Sequence, residues 1–290
     1  MTGPELKDLV PGAIVDGRYQ IVRRLGQGAM GAVHVATDLR LGEEVAIKTV
    51  LQDLSGQAEL RERFEREARA LFAMEHPHVV RVRDFGIVGG GAYIVTELLK
   101  GSSLAELIER GLPADRGLRI VGQFLTALAF VHAQGVIHRD IKAGNVFVAR
   151  GPDGHDDAKL LDFGLVRFVD AGQWGVAASL TTDGVILGSP GYISPEQTLG
   201  HRGDARSDVY SAGVLLFEVL TGAWPFLYET QAEMFRAHLS KEPPTLAAVR
   251  PELAPSQGLE ALVRKALAKP PNERFTDAVA MLSAFEALHR

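Results

Sequence analysis

His138-Arg139-Asp140-Ile141-Lys142-Ala143-Gly144-Asn145 is the stretch on which the reading of this chain turns. It carries an imidazole, a guanidinium, a carboxylate, an amine and an amide, yet apolar sequence flanks it on both sides. Residues 120–136 read as a helix followed by a strand, and Val146-Phe147-Val148 reads as a strand. Turns seldom hold so many functional groups between two core elements, so this loop is placed for chemistry rather than for chain reversal alone.

Downstream, Asp162 closes a short apolar strand, Lys159-Leu160-Leu161, and a glycine follows two residues on. A carboxylate at that strand end, opposite Asn145 on a paired strand, makes an all-oxygen site. Such a site suits Mg²⁺, which takes one or two carboxylates and phosphate oxygens. An Asp-based turn is the other reading of Asp162.

Upstream, residues 19–25 and 32–37 read as strands around Gly26-Gln27-Gly28-Ala29-Met30-Gly31. Glycines between two strands let backbone N–H groups approach a phosphate closely. In a dinucleotide-binding unit a helix would follow the glycines; here a strand follows, so that unit loses, and a mobile hairpin tip is the other reading of the motif taken alone. Residues 44–50 form a third strand, in which Lys48 shares an apolar face with Ala46 and Val50. A lysine there calls for an anion, unless it snorkels from an edge. In the next helix, residues 58–74, Leu60, Phe64, Leu71 and Met74 form an apolar stripe with Glu67 at its centre. Glu67 is then the natural partner of Lys48. A one-residue slip of helical phase would instead bury Ala68 and leave Glu67 solvated.

Residues 79–85 and 92–96 read as strands joined at Gly89-Gly90-Gly91. The first part of the chain is thus a small β-rich unit of five strands and one helix, and residues 97–101 read as a linker. The second part is mainly helical: residues 104–110, 118–134, 209–220, 231–239, 258–268 and 276–288. Residues 209–220 are apolar nearly all round, the mark of a buried helix. Ser207 is its expected cap, Asp208 complements its dipole and Gly222 ends it. Residues 167–187 show neither period and read as a long functional loop bearing Ser179, Thr181 and Thr182.

Composition sets the outer limits. A chain of 290 residues with 46% hydrophobic content can bury a large core. The formal net charge of −5 argues against nucleic acid or anionic membrane as a main partner. Without cysteine there are no disulfides or thiolate metal sites, and the cytosol is the default compartment. Residues 1–11 hold no apolar signal region, and no apolar run approaches the ~20 residues of a membrane span. The end at Arg290, directly after an amphipathic pattern, raises the expectation of a longer protein, membrane-anchored in one version, whose cytosolic domain this is.

Taken together, Gly26, Gly28, Gly31 and Val33; Val45-Ala46-Ile47-Lys48; Glu67; His138-Arg139-Asp140 with Asn145; Asp162-Phe163-Gly164; Ser194-Pro195-Glu196; and Arg274 resemble the signature set of the protein kinases. Gly-Gln-Gly-Ala-Met-Gly, the leader Gly17-Arg18-Tyr19, and Lys142 two residues after Asp140 resemble the eukaryotic-like Ser/Thr kinases of bacteria. Ala143 departs from the family's proline, Ser189 from its threonine and Ser194 from its alanine; none of these removes a catalytic group.

The resemblance implies an α+β, bilobal kinase-like fold as one domain, residues 1–290. Its N-lobe would be residues 17–97, a five-stranded antiparallel sheet with one helix. Residues 98–101 would be the hinge and 102–290 a larger, mainly helical C-lobe. It implies ATP between the lobes, under Leu25, Gly26, Gln27, Gly28, Ala29, Met30 and Gly31. The adenine would lie against Val33, Ala46 and Phe147, with hydrogen bonds to the backbone at Glu97 and Leu99. Thr96 is the small residue at the back of that pocket, which would admit bulky ATP-competitive inhibitors. Lys48, held by Glu67, would grip the phosphates, and Asn145 and Asp162 would hold Mg²⁺, with Mn²⁺ as the alternative ion. Asp140 would accept the proton of a protein Ser/Thr hydroxyl, and Lys142 would steady the transferring phosphoryl. Arg139 would pair with a phosphate on Thr181, Thr182 or Ser179. A homodimer is a further expectation of the family. Because Lys48, Asp140 and Asp162 are all present, a catalytically silent nucleotide-binding scaffold is the lesser reading.

Overall fold

The computed structural model describes residues 6, 9–28, 31–50, 54, 56–151, 154–162, 190–253 and 256–288. The chain divides after Lys100 into two compact units.

The first unit is one antiparallel sheet with a helix. Its strands are β1 (Ile14–Val15), β2 (Tyr19–Gly28), β3 (Gly31–Asp38), β4 (Glu43–Val50), β5 (Val82–Val88) and β6 (Gly91–Glu97), in the order β1-β2-β3-β4-β6-β5. Six strands therefore stand where the sequence predicts five. The added one, β1, is two residues long and pairs Ile14 with Gln20, too short to show a period. The last two strands meet at Gly89 and Gly90, both at positive φ (57° and 82°), as a two-residue hairpin of the mirror-image type requires. Leu6, Leu9 and Val15 join the core of Tyr19, Ile21, Val45, Ile47, Tyr93 and Val95, so the packed unit begins ahead of residue 17.

Helix α1 (Ala58–Phe72) buries Phe64, Ala68 and Leu71, and Phe64 and Phe72 set their rings edge-on to Phe85 of β5. Ala68, not Glu67, is thus the fully buried residue at the centre of the stripe; Glu67 is half-buried at its flank. Phe64, Leu71 and Met74 are buried as the stripe predicts, Ala68 joins them, and one carboxylate oxygen of Glu67 is buried as well.

The second unit contains a small sheet of β7 (Gly101–Ser103), β8 (Val146–Arg150) and β9 (Asp156–Leu160). Its helices are α2 (Leu104–Glu109), α3 (Ala114–Ala133), α4 (Pro195–Thr198), α5 (Ala205–Thr221), α6 (Gln231–Ser240), α7 (Leu246–Val249), α8 (Gln257–Ala266) and α9 (Ala278–Ala287). Most begin as capping chemistry dictates: Ser103, Asp204, Thr230, Thr245, Ser256 and Asp277 each accept a backbone N–H of the first turn. Asp204 caps α5 in place of the expected Ser207, whose hydroxyl is turned to Glu196 instead. Gly222 closes α5 at φ 78°, as expected. Helix α5 is buried on nearly every side, and α3, α8 and α9 pack around it. No strand forms at Val136; the chain runs from α3 into an irregular loop.

Candidate active site

The loop 138–145 is hung from the buried helix α5. Asp208, 1% exposed, accepts the backbone N–H groups of His138 (2.7 Å) and Arg139 (2.8 Å). It also accepts a hydrogen bond from His132 Nε2 of α3 at 3.0 Å. His132 Nδ1 accepts the N–H of Ala278 at the start of α9, which fixes the ring as the Nε2–H tautomer. One carboxylate thus ties α3, the loop, α5 and α9 together, and its burial is matched by three donors. The sequence reading assigned Asp208 only to the helix dipole. The signal it missed lies some seventy residues away in the chain, beyond any local pattern.

Those bonds hold Arg139 at φ 64°, a left-handed conformation that costs a non-glycine residue of order 1 kcal/mol. The turn aims the following side chains together. Asp140 Oδ2 accepts Lys142 Nζ at 2.9 Å and Asn145 Nδ2 at 2.8 Å, and Asn145 Nδ2 also reaches the Asp140 carbonyl at 2.8 Å. His138 is fully buried: Nδ1 accepts the N–H of Asp140 and Nε2 donates to the Leu161 carbonyl at 2.7 Å. Burial lowers its pKa, so the ring stays neutral and its two bonds survive through physiological pH.

Val146 pairs with Leu160, and the N–H of Leu161 donates to the Asn145 carbonyl at 2.8 Å. Asp162 therefore follows β9 just beyond its end, at φ 49°, another left-handed non-glycine residue. Both protons of Asn145 Nδ2 are committed to Asp140, which leaves its side-chain oxygen as the atom to offer a cation. One amide oxygen and one carboxylate fit a hard divalent ion that brings phosphate and water oxygens with it. Phe147, on β8, is half-buried.

Four of the predicted nucleotide residues of the first unit fall on one sheet face. Val33 pairs with Lys48, and Ala46 with Thr96, so these four side chains share a face opposite the core residues Val45, Ile47 and Val95. The core residues are buried, whereas Val33, Ala46, Lys48 and Thr96 are half-exposed. A partly open apolar surface with an amine on it suits a flat apolar group with an anionic tail. Glu97, which pairs with Val45 on the other face, and Leu99 just past the strand are half-buried, and the N–H of Glu97 donates to the Arg81 carbonyl at 3.1 Å.

Leu25 is exposed on β2, and Gln27 accepts a bond from Arg24 at 2.6 Å. Gly26 pairs with Val33 and Gly28 with Gly31. Ala29 and Met30, like Phe163, Gly164, Ser179, Thr181, Thr182 and Ser189, lie outside the described residues. Gly31 is at φ 155°, and a Cβ there would lie 1.8 Å from the Thr49 carbonyl oxygen. Backbone cannot yield as a flexible side chain does. Gly31→Ala is therefore expected to displace the β2–β3 turn and raise the KM for ATP at least about 10-fold, a loss of roughly 1.4 kcal/mol. Steady-state kinetics at varied ATP checks this, with Gly26→Ala, whose Cβ would meet nothing within 4 Å, as the milder control.

In the second unit, Glu196 receives both prongs of the Arg274 guanidinium, Nη1 to Oε1 and Nη2 to Oε2, each at 2.8 Å. Ser207 Oγ adds a bond at 2.5 Å. Burial alone would raise the Glu196 pKa, but these donors outweigh it and hold the carboxyl below its usual range.

With this geometry in place, comparison with known proteins is specific. The family model described as "Protein kinase domain" matches residues 19–288. The chain is 42% identical over 283 residues to serine/threonine-protein kinase pkn2 of Myxococcus xanthus, covering 97% of this chain and 34% of that protein. It is 37% identical over 284 residues to PknL of Mycobacterium tuberculosis, covering 97% of this chain and 68% of PknL. The crystal structure of the M. tuberculosis PknI kinase domain superposes with a TM-score of 0.74 at 28% identity, over 97% of this chain and 99% of that one. The chain spans about a third to a half of the length of the first curated relatives it matches. The match across residues 19–288 shows that the chain belongs to the protein kinase family.

Proposed function

We propose that this chain transfers the γ-phosphoryl group of ATP to serine and threonine hydroxyls of proteins, the loop of residues 167–187 among its targets. The observation that carries the reading is the cluster in which Lys142 and Asn145 both hold Asp140 Oδ2. Fixing one oxygen sets the direction of the other, and a carboxylate so aimed orients a substrate hydroxyl and takes its proton. Lys142, 27% exposed, steadies negative charge on the transferring group. Lys48 binds the α- and β-phosphates, supported by Glu67, and the half-exposed face of Val33 and Ala46 takes the adenine. Asn145 and Asp162 hold Mg²⁺, which when bound neutralises charge on the phosphate oxygens. Lys142, in the register that resembles Ser/Thr kinases, supports a serine or threonine acceptor over tyrosine.

Arg139 beside Asp140 supports control by phosphorylation. A phosphate on Thr181, Thr182 or Ser179 would bring charge-assisted hydrogen bonds to its guanidinium. The test is intact-mass and peptide mapping after incubation with ATP and Mg²⁺, beside a variant with Ser179, Thr181 and Thr182 all changed to Ala. Wild type is expected to gain phosphate at one or more of these positions and to become more active on an added protein substrate. If the triple variant gains as much phosphate and activity as wild type, the loop switch is wrong. If wild type binds ATP but phosphorylates nothing, the transfer reading itself fails.

A further inference from the structure

Beside the catalytic loop, the second unit has a cleft of about 410 Å³, within the usual range for ligand pockets. Lys142 and Gly144 form one side of it, so whatever enters lies next to the side chain that holds Asp140. Ala105 and Ile108 of α2, Pro190, Tyr192 and Trp224 also line it.

Trp224 is held in place from three directions. Its Nε1–H donates to Glu218 Oε1 at 2.9 Å. Its ring stands edge-to-face with Tyr192, at 5.8 Å and 70°. Gly191 lies so close that a Cβ there would meet the indole at 2.8 Å. The indole is nevertheless only half-buried. An aromatic wall that is both rigid and open binds an apolar group with little loss of conformational freedom.

Two carboxylates line the cleft: Glu109 of α2, which is exposed to solvent, and Glu218, whose carboxylate already accepts Trp224 Nε1 and the Tyr192 hydroxyl. Burial raises the pKa of Glu218, which makes it a poor counter-charge for an entering cation. Its work is to hold the two aromatic walls. Gly144 and Gly222 keep the remaining lining low, since a Cβ on either would touch nothing within 4 Å.

We propose that this cleft is a substrate subsite that takes an apolar side chain, branched aliphatic or aromatic, from the protein being phosphorylated, with Trp224 and Ile108 as its contact walls. This rests on the protein-phosphorylating reading above. Specificity would then come from a residue near the acceptor hydroxyl, read by shape rather than by charge.

A peptide array with one central threonine, each flanking position set in turn to Leu, Phe, Ala, Arg or Glu, tests it. Wild type is expected to prefer Leu or Phe over Ala at one position by about 10-fold in kcat/KM, the usual worth of such a contact. Ile108→Asp and Ala105→Phe, the first making the wall polar and the second filling the space, should each erase that preference. The KM for ATP and the rate on the Ala peptide should stay unchanged in both. Equal rates for Leu, Phe and Ala at every position overturn the proposal, as does a preference that survives both variants. A preference for Arg that Glu109→Gln or Glu218→Gln removes also overturns it, because the cleft would then read charge. If wild type phosphorylates no peptide and no protein, the transfer reading falls and the subsite falls with it.

Discussion

Asp140→Asn is expected to lower kcat for phosphate transfer by about 10²–10⁴-fold, the usual worth of a positioned general base. That corresponds to roughly 3–5 kcal/mol of barrier. The two donors on Asp140 Oδ2 make the substitution unusually clean. Lys142 Nζ and Asn145 Nδ2 both require an acceptor at that position. An asparagine satisfies them by turning its carbonyl oxygen inward, which points its NH₂ outward. A donor then stands where the hydroxyl proton should be received. The fold should survive, because the loop is suspended from Asp208 through backbone N–H groups that the substitution leaves alone. Single-turnover kinetics with saturating ATP, together with thermal melting, checks both halves. A variant that keeps a tenth or more of the wild-type rate would remove Asp140 from the reaction.

Arg274→Ala is expected to cost about 3–5 kcal/mol of stability, because breaking a buried pair strands the other charge. At roughly 2–4 °C per kcal/mol for a chain of this size class, the melting temperature falls by roughly 6–20 °C. Arg274 is 0% exposed at its side chain and also donates to the carbonyls of Ala268, Arg206 and Lys269, so the loss is not confined to Glu196. The effect carries a pH signature. In wild type the Glu196 pKa is held low, so the pair's contribution is present above the ordinary carboxylate pKa and is lost as pH falls through the folded value. In the variant the guanidinium is gone and burial dominates, which raises that pKa. The stranded charge is then relieved by protonation as pH falls, and the stability gap between the two proteins narrows from pH 7 toward pH 4. Melting curves at several pH values measure this. Arg274→Lys should recover only part of the loss, since an ammonium cannot match both carboxylate oxygens at once. A gap that stays constant with pH would mean that packing, not charge, is what Arg274 supplies.

Much of this architecture was legible because local rules and tertiary demands agree. The alternation around Lys48 placed it on the face with Ala46, and the continuous apolar run 209–220 announced a buried helix. Gly89-Gly90 fixed a hairpin that only positive φ angles can make. The readings that failed did so where the deciding partner is remote. Strand β1 exists because Ile14 and Val15 find β2, not because two residues show a period. Ser207 looked like a cap, but Glu196 claims its hydroxyl and Asp204 takes the cap instead. Asp208 was the largest omission in the site. Its partners His132, His138 and Arg139 lie some seventy residues upstream, and nothing in its immediate sequence distinguishes it from a carboxylate that merely complements a helix dipole.

That same carboxylate also bears on which parts of the chain open. Local opening of a protein costs least where few buried contacts are broken and most in the central core. Asp208 ties the loop 138–145 to α5, the most completely buried helix among the described residues, and through His132 to α3 and α9. The loop therefore shares the opening cost of the core. The backbone just ahead of Asp140, the carboxylate proposed to take the hydroxyl proton, is thereby anchored to one of the costliest parts of the second unit to open.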